Sequence, residues 1–236
     1  LRSDKVVLTV QRCGKEAQFC VTPSKTEEGT KIGAYIKDSM SGIGTVTYYD
    51  PETGKFGALG HGVNDRDTMV LLPVEAGVVV ESQVREVKRG SSGTPGELKG
   101  KFNVEQILGH IEHNTDHGIF GELTVPVPGK PIPVAQAGEV EFGPATILSN
   151  VTADTVEAYA VKVVEIHPHE KESGRNLLIE VTDPRLLTVT GGIVQGMSGS
   201  PIIQDGKLVG AVTHVLVNDP TRGYGIFIEN MLDAVG

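Results

Sequence analysis

An all-β fold, a barrel or a sandwich, is what this sequence predicts, and three observations predict it. Thirty glycines and thirteen prolines are spread along 236 residues rather than clustered, as they are where many short strands are joined by turns. Apolar runs of strand length recur between those turn residues. Hydrophobic residues make up 39% of the chain, enough at this length to build a real core.

The elements follow in order. Lys5–Arg12 and Lys15–Thr22 read as two strands about a Cys13-Gly14 turn, followed by the loop Pro23–Thr30. That register sets Arg12 opposite Lys15 and Cys20 opposite Val7, so Cys13 and Cys20 lie beyond the bridging limit of about 7 Å and two free thiols are expected. Gly42–Tyr49 and Phe56–Leu59 read as strands around the turn Asp50-Pro51-Glu52-Thr53-Gly54, with Met69–Pro73 and Gly77–Val87 continuing that sheet. Ser91–Glu97 reads as an exposed loop, and Asn103–His113 carries a helical pattern. Ala145–Leu148, Thr155–Val164 and Leu177–Val181 supply strands for a second layer or barrel. Ile202 to Val215 reads as two strands joined by an Asp205-Gly206 hairpin turn, and Ile226–Val235 as a closing C-terminal helix.

Composition excludes several function classes. A formal net charge of −9 with no dense Lys/Arg stripe argues against nucleic-acid binding, which needs a basic surface to neutralise phosphates. No apolar run approaches the roughly 18 to 20 residues that span a bilayer. His110, His113 and His117, with Glu112 and Asp116, have spacing that could gather a metal on a helix, but Gly109 and Gly118 interrupt it; no metal and no cofactor is expected.

The most informative run is Gly196-Met197-Ser198-Gly199-Ser200-Pro201. A serine between glycines lets a carbonyl approach Oγ while main-chain N–H groups point at the developing oxyanion, so Ser198 is the candidate nucleophile. Ordinary turns before strands use the same residues. A serine hydroxyl needs a base, and His61 stands apart from the other histidines, in Gly60-His61-Gly62, where the flanking glycines are expected to leave its ring uncrowded and facing open space. A surface turn histidine is the alternative there. Asp183, at the end of the apolar strand Asn176–Thr182, is a candidate orienting acid; read alone, Asp183-Pro184 equally suits a strand end or a helix N-cap. Asp65 and Asp67 are competing acids.

The chain resembles the stage IV sporulation protein B peptidases, serine proteases of spore-forming bacteria. The resemblance rests on Gly42-Ile43-Gly44-Thr45, Gly57-Ala58-Leu59-Gly60-His61, Thr182-Asp183-Pro184-Arg185-Leu186-Leu187 and above all Gly191-Gly192-Ile193-Val194-Gln195-Gly196-Met197-Ser198-Gly199-Ser200-Pro201, continued by Val212-Thr213-His214-Val215. It implies a trypsin-like double β-barrel with a short C-terminal helix, occupying residues 31–236. Residues 1–30 would be the C-terminal hairpin of a truncated PDZ domain, a surface hairpin of the peptidase being the alternative. It further implies His61 as general base, Asp183 as orienting acid, Ser198 as nucleophile, the backbone N–H groups of Gly196 and Ser198 as oxyanion donors, and Thr213, His214 and Val215 as the strand that pairs with substrate.

Two departures from the Gly-Asp-Ser-Gly-Gly-Pro pattern of trypsin-like enzymes are visible. Met197 replaces the aspartate that pairs with a freed N-terminus, and Ser200 replaces a glycine, which is expected to narrow the pocket. By the same resemblance the substrate would be a membrane-anchored regulator of a sigma-factor processing protease, with self-cleavage, in the space between the mother-cell and forespore membranes. The competing expectation is a non-catalytic regulatory module that binds a partner on the same fold.

Overall fold

The computed structural model describes residues 5–12, 14–34, 40–74, 76–152, 155–170 and 173–235. The chain divides into two compact units, Leu1–Ser41 and Gly42–Gly236.

The first unit is two ribbons: β1 (Val6–Arg12) with β2 (Lys15–Val21), and β3 (Ser24–Thr26) with β4 (Gly29–Lys31). The β1–β2 register sets Val7 opposite Cys20 and Arg12 opposite Lys15, as the turn residues require. Cys20 is a free, exposed thiol, and Cys13 lies outside the described residues.

The second unit is all-β with two short α-helices. Its strands β5 (Val46–Tyr49), β6 (Lys55–Ala58), β7 (Gly77–Lys88), β8 (Glu97–Thr115) and β9 (Gly118–Leu123) form an open antiparallel sheet in the order β5-β6-β9-β8-β7. A 3-10 turn at Ala137–Glu139 leads into the rest: β10 (Gly143–Ser149), β11 (Glu157–Ile166), β12 (Leu177–Val181), α1 (Pro184–Thr190), β13 (Pro201–Gln204), β14 (Lys207–Leu216), β15 (Asp219–Phe227) and α2 (Ile228–Asp233). These six strands close into a barrel in the order β10-β11-β12-β15-β14-β13. Of the two expected barrels, the second is closed and the first is an open half-barrel.

Alternation builds the closed barrel. Along β11 the side chains of Tyr159, Val161 and Val163 are buried in turn while Ala158, Ala160 and Lys162 face out, the two-residue period of a half-buried strand. Ile147, Val163, Leu177, Ile179, Leu186, Met197, Ile202 and Val212 meet inside the barrel with 0% exposure. Each such aliphatic side chain contributes roughly 1.5–3 kcal/mol by leaving water.

Three elements differ from the sequence expectation. Asn103–His113 is part of β8, not a helix. The β7–β8 ladder shifts register at Val79/Val80, Val80/Ser82 and Val84/Glu86, and the β8–β9 ladder at Ile111/His113. Each bulge breaks the two-residue alternation, so Val104, Ile107, Leu108 and Ile111 fall at the three- and four-residue spacing of a helix face. Met69–Pro73 is not a strand: Asp65 Oδ1 accepts from the N–H groups of Asp67 and Thr68, forming a turn, and only an isolated bridge joins Asn64 to Leu71. The strand expected from Gly42 begins at Val46.

Candidate active site

The nucleophile loop is fixed on both sides by backbone. Gln195 N–H donates to the Gly96 carbonyl at 3.0 Å, and Leu98 N–H to the Gln195 carbonyl at 2.8 Å, tying the loop to the start of β8. Beyond Ser198, the Gly199 N–H donates to Val212 O at 2.8 Å, on β14. Met197 is completely buried in the barrel core. An apolar side chain therefore occupies the place where trypsin-like enzymes keep an aspartate, and no buried ion pair with an N-terminus can form there. Among the described residues, neither the Gly196 nor the Ser198 N–H donates to another group of the protein. Both donors expected for an oxyanion hole are therefore uncommitted.

Thr45 joins the two halves of the site. Its N–H takes the Ser198 carbonyl at 2.9 Å, and its carbonyl accepts the Leu59 N–H at 3.2 Å. The segment leading to His61 and the loop carrying Ser198 thus share one residue's peptide groups, although Leu59 and Ser198 are far apart in sequence.

His61 does not face open space. A side chain at Gly60 would lie 2.9 Å from both Ile226 and Thr213, so the glycine permits close approach of the loop to β14 and β15. The half-buried His61 ring stands 4.9 Å, centroid to centroid, from the ring of His214. Its Nδ1 is 2.8 Å from the Gly62 carbonyl. A carbonyl can only accept, so Nδ1 carries the proton and the neutral ring presents Nε2 as a lone-pair acceptor, the tautomer a general base needs. Burial holds the His61 pKa below the ordinary histidine value, and the Gly62 contact opposes this only in part.

The His214 ring is tilted by 39° against that of His61, and the residue as a whole remains exposed. Desolvation, then repulsion from His61 and Arg175, pushes its pKa down to about 4. At neutral pH the two neighbouring rings are therefore both uncharged.

Ser198 Oγ donates to the Thr213 carbonyl at 2.9 Å rather than to the His61 ring. Thr213-His214 thus touches both candidate residues, its Thr213 carbonyl holding Ser198 Oγ and its His214 ring standing 4.9 Å from the His61 ring. The hydroxyls of Ser200 and Thr213 are buried without a hydrogen-bond partner. Ser200 is 0% exposed, so it does not narrow an open pocket as the sequence suggested.

Asp183 and His61 share no contact. Asp183 caps α1: Oδ1 accepts the Arg185 N–H at 2.9 Å, and the Arg185 guanidinium grips both carboxylate oxygens at 3.2 and 2.9 Å. Oδ2 also accepts the Ala160 N–H at 3.2 Å. The capping reading of Asp183-Pro184 describes this geometry. Arg185 above all, with the Ala160 and Arg185 N–H groups, outweighs desolvation and lowers the Asp183 pKa to about 2. A carboxyl depressed from its unfolded value of roughly 3.9 stabilises the fold above about pH 4 and ceases to do so as pH falls toward 2. Asp183→Ala is expected to cost about 1–2 kcal/mol at pH 7 and Asp183→Asn less, because asparagine still caps. Thermal melts between pH 2 and 7 check this: both variants should lose part of the acid-dependent fall in stability, and an unchanged fall counts against the assignment.

Asp65 is committed to its own turn. The turn between β8 and β9 is clamped beside His61 instead, because Asn114 accepts the Val63 N–H at 2.9 Å and donates to the Val63 carbonyl at 2.8 Å. The sequence reading missed Asn114; its place just before a Thr115-Asp116-His117-Gly118 turn was the available signal. His110 and His113 lie on β8, and among the described residues no group of three or more His, Cys, Asp or Glu side chains gathers as metal ligands.

The family model described as SpoIVB peptidase S55 matches residues 28–232. No curated protein matches the chain. Among solved structures, the active form of the Rv3671c protease from M. tuberculosis is similar at 16% identity, covering 86% of this chain and 95% of that one with a TM-score of 0.40. A serine-to-alanine variant of the same protein in its inactive form is similar at 14% identity, covering 66% and 85% with a TM-score of 0.39.

Proposed function

The chain belongs to the SpoIVB peptidase S55 family and is a serine peptidase, and from that premise we propose an endopeptidase acting through an acyl-enzyme on Ser198. The observation that carries the assignment of residues is the junction at Thr45 and Thr213, which sets the Ser198 loop against the segment holding His61. In this reading His61 Nε2 takes the hydroxyl proton, and Oγ attacks the scissile carbonyl. The free N–H groups of Gly196 and Ser198 bind the resulting oxyanion. His61 then returns the proton to the leaving amine, and water repeats the sequence on the ester.

Substrate backbone adds along Thr213, His214 and Val215, where β14 has run past the end of β13. Its incoming N–H competes for the Thr213 carbonyl and displaces Ser198 Oγ toward the base. The Gly62 carbonyl orients His61 in the conformation described, while Asp183 is held by Arg185 and the Ala160 N–H.

The finer reading follows the family. The substrate is a membrane-anchored regulator of a sigma-factor processing protease, cut during spore formation between the mother-cell and forespore membranes, and the chain also cleaves itself. Residues 1–30 are read as the last hairpin of a PDZ domain. Val6, Val7 and Phe19 stay exposed on the β1–β2 ribbon, and a two-stranded ribbon needs a further sheet or helix to be stable.

A fluorophosphonate probe tests the mechanism. It should label the wild-type protein at Ser198 and fail on Ser198→Ala and His61→Ala. No labelling of folded wild-type protein would favour the binding module instead.

A further inference from the structure

Next to His214, through its cross-strand partner Tyr224, lies a cleft of about 270 Å³, lined by His167, Glu170, Ser173, Arg175 and Tyr224. His167, Glu170, Ser173 and Arg175, between β11 and β12, form one wall and Tyr224 of β15 the other. We propose that this cleft is a subsite for an acidic side chain of the substrate, and that Arg175 is the residue that reads it. The inference rests on the peptidase reading above and names the specificity of that same site.

Position comes first. Tyr224 is the cross-strand partner of His214, whose ring stands 4.9 Å from that of His61. A side chain at Gly174 would stand 3.8 Å from the Gly60 carbonyl, so the loop carrying Arg175 runs alongside the loop carrying the base. Arg175 is also near enough to His214 to disfavour its protonation. A substrate strand on Thr213–Val215 advances about 3.3 Å per residue, which brings the second to fourth residues before the scissile bond to the mouth of the cleft.

Chemistry comes second. The Arg175 guanidinium lies over the Tyr224 ring, 5.1 Å from its centroid. Stacking of this kind holds the planar group by its face and leaves the N–H donors along its edge for a carboxylate. Among the described residues no carboxylate lies within ion-pair distance of Arg175, whereas Arg185 and Arg222 each have two. Glu170 faces the same cleft and keeps its negative charge while accepting from Ser173 Oγ at 3.1 Å, and His167 is hydrogen-bonded to Glu165 at 3.0 Å, so the Arg175 guanidinium edge is the group of this cleft that suits an incoming carboxylate. In a chain of net charge −9 an arginine without a carboxylate partner among the described residues is what admits an acidic segment.

Ser198→Ala protein tests this by binding alone, without turnover. The probes are fluorescent product-type hexapeptides whose C-terminal carboxylate marks the cleaved bond, with Glu, Gln or Lys at the second, third or fourth residue from that end. At low ionic strength the Glu peptide should bind about fivefold tighter than the Gln peptide at one of these positions, the scale of a partly exposed charge pair. Adding Arg175→Gln should abolish the ratio, and adding Arg175→Glu should invert it in favour of Lys. A ratio near one at all three positions, no measurable binding, or a preference that survives Arg175→Gln overturns the proposal. The charge-reversed variant guards against misfolding, since a gain for Lys cannot come from an unfolded protein. Fluorophosphonate labelling of the wild type is a separate readout, so failure of the peptidase reading and failure of the subsite are distinguishable.

Discussion

Gly199→Ala should destabilise the second unit by roughly 3 kcal/mol or more and abolish labelling of Ser198. Gly199 has φ +87, a left-handed conformation that costs an alanine about 1–2 kcal/mol before any contact is counted. The contacts are worse. A Cβ there would stand 2.1 Å from the Thr45 carbonyl oxygen and 2.6 Å from the Leu59 nitrogen. Neither can swing aside as a side chain would, because the Thr45 carbonyl accepts the Leu59 N–H and the Thr45 N–H takes the Ser198 carbonyl. Thr47 Oγ1 adds a bond to the Gly199 carbonyl at 2.9 Å. The methyl therefore drives apart the two segments whose meeting makes the site, and activity should fall even in whatever fraction remains folded. At about 2–4 °C per kcal/mol for a unit of this size, the melting temperature should drop by roughly 6–12 °C. A variant that melts within about a degree of wild type and labels at the wild-type rate would show that Gly199 is not the joint described.

What the sequence made legible, and what it did not, follows from how local each signal is. The Asp205-Gly206 turn and the alternation of β11 are decided by neighbours a few residues away, and both strands stand where expected. The long hairpin of β7 and β8 was half hidden, since its bulges are set by pairing across the sheet and no single strand shows them. Ser198 stood out in the sequence because Gly196 and Gly199 around it suit a tight loop, a local signal. Its partners are another matter. The environment of His61 depends on Thr213, His214 and Ile226, all more than a hundred positions away, and Gly60 beside it signalled crowding by their side chains rather than the empty space inferred for its ring. Asp183 shows the same limit from the other side. An aspartate before a proline at a strand end satisfies a helix cap with residues Pro184 and Arg185 alone, so sequence motif and local physics assign it different work. Arg185 two residues on was the local clue to the ion pair.

His61→Ala should lower kcat/KM on the order of 10⁴-fold or more, the cost of removing the base from a serine–histidine pair. The wild-type pH profile gives the sharper test. Burial disfavours the imidazolium, so the His61 pKa in the folded protein lies below its unfolded value. The base must be neutral to accept the hydroxyl proton. Activity is therefore lost as pH falls through this lowered pKa, and the acid limb of kcat/KM should have its midpoint below about 6.5 rather than at it. His214 does not confuse the limb, because its own pKa of about 4 keeps it uncharged over most of that range. Replacing His214 by alanine opens one side of the His61 ring to water. With desolvation relieved, the imidazolium is less disfavoured and the midpoint should move up toward 6.5, while the rate at high pH reports whether the His214 contact also aligns the ring. A wild-type limb at or above 6.5, or one that ignores His214→Ala, would mean that the ring packed between Gly62 and His214 is not the group whose protonation stops the reaction.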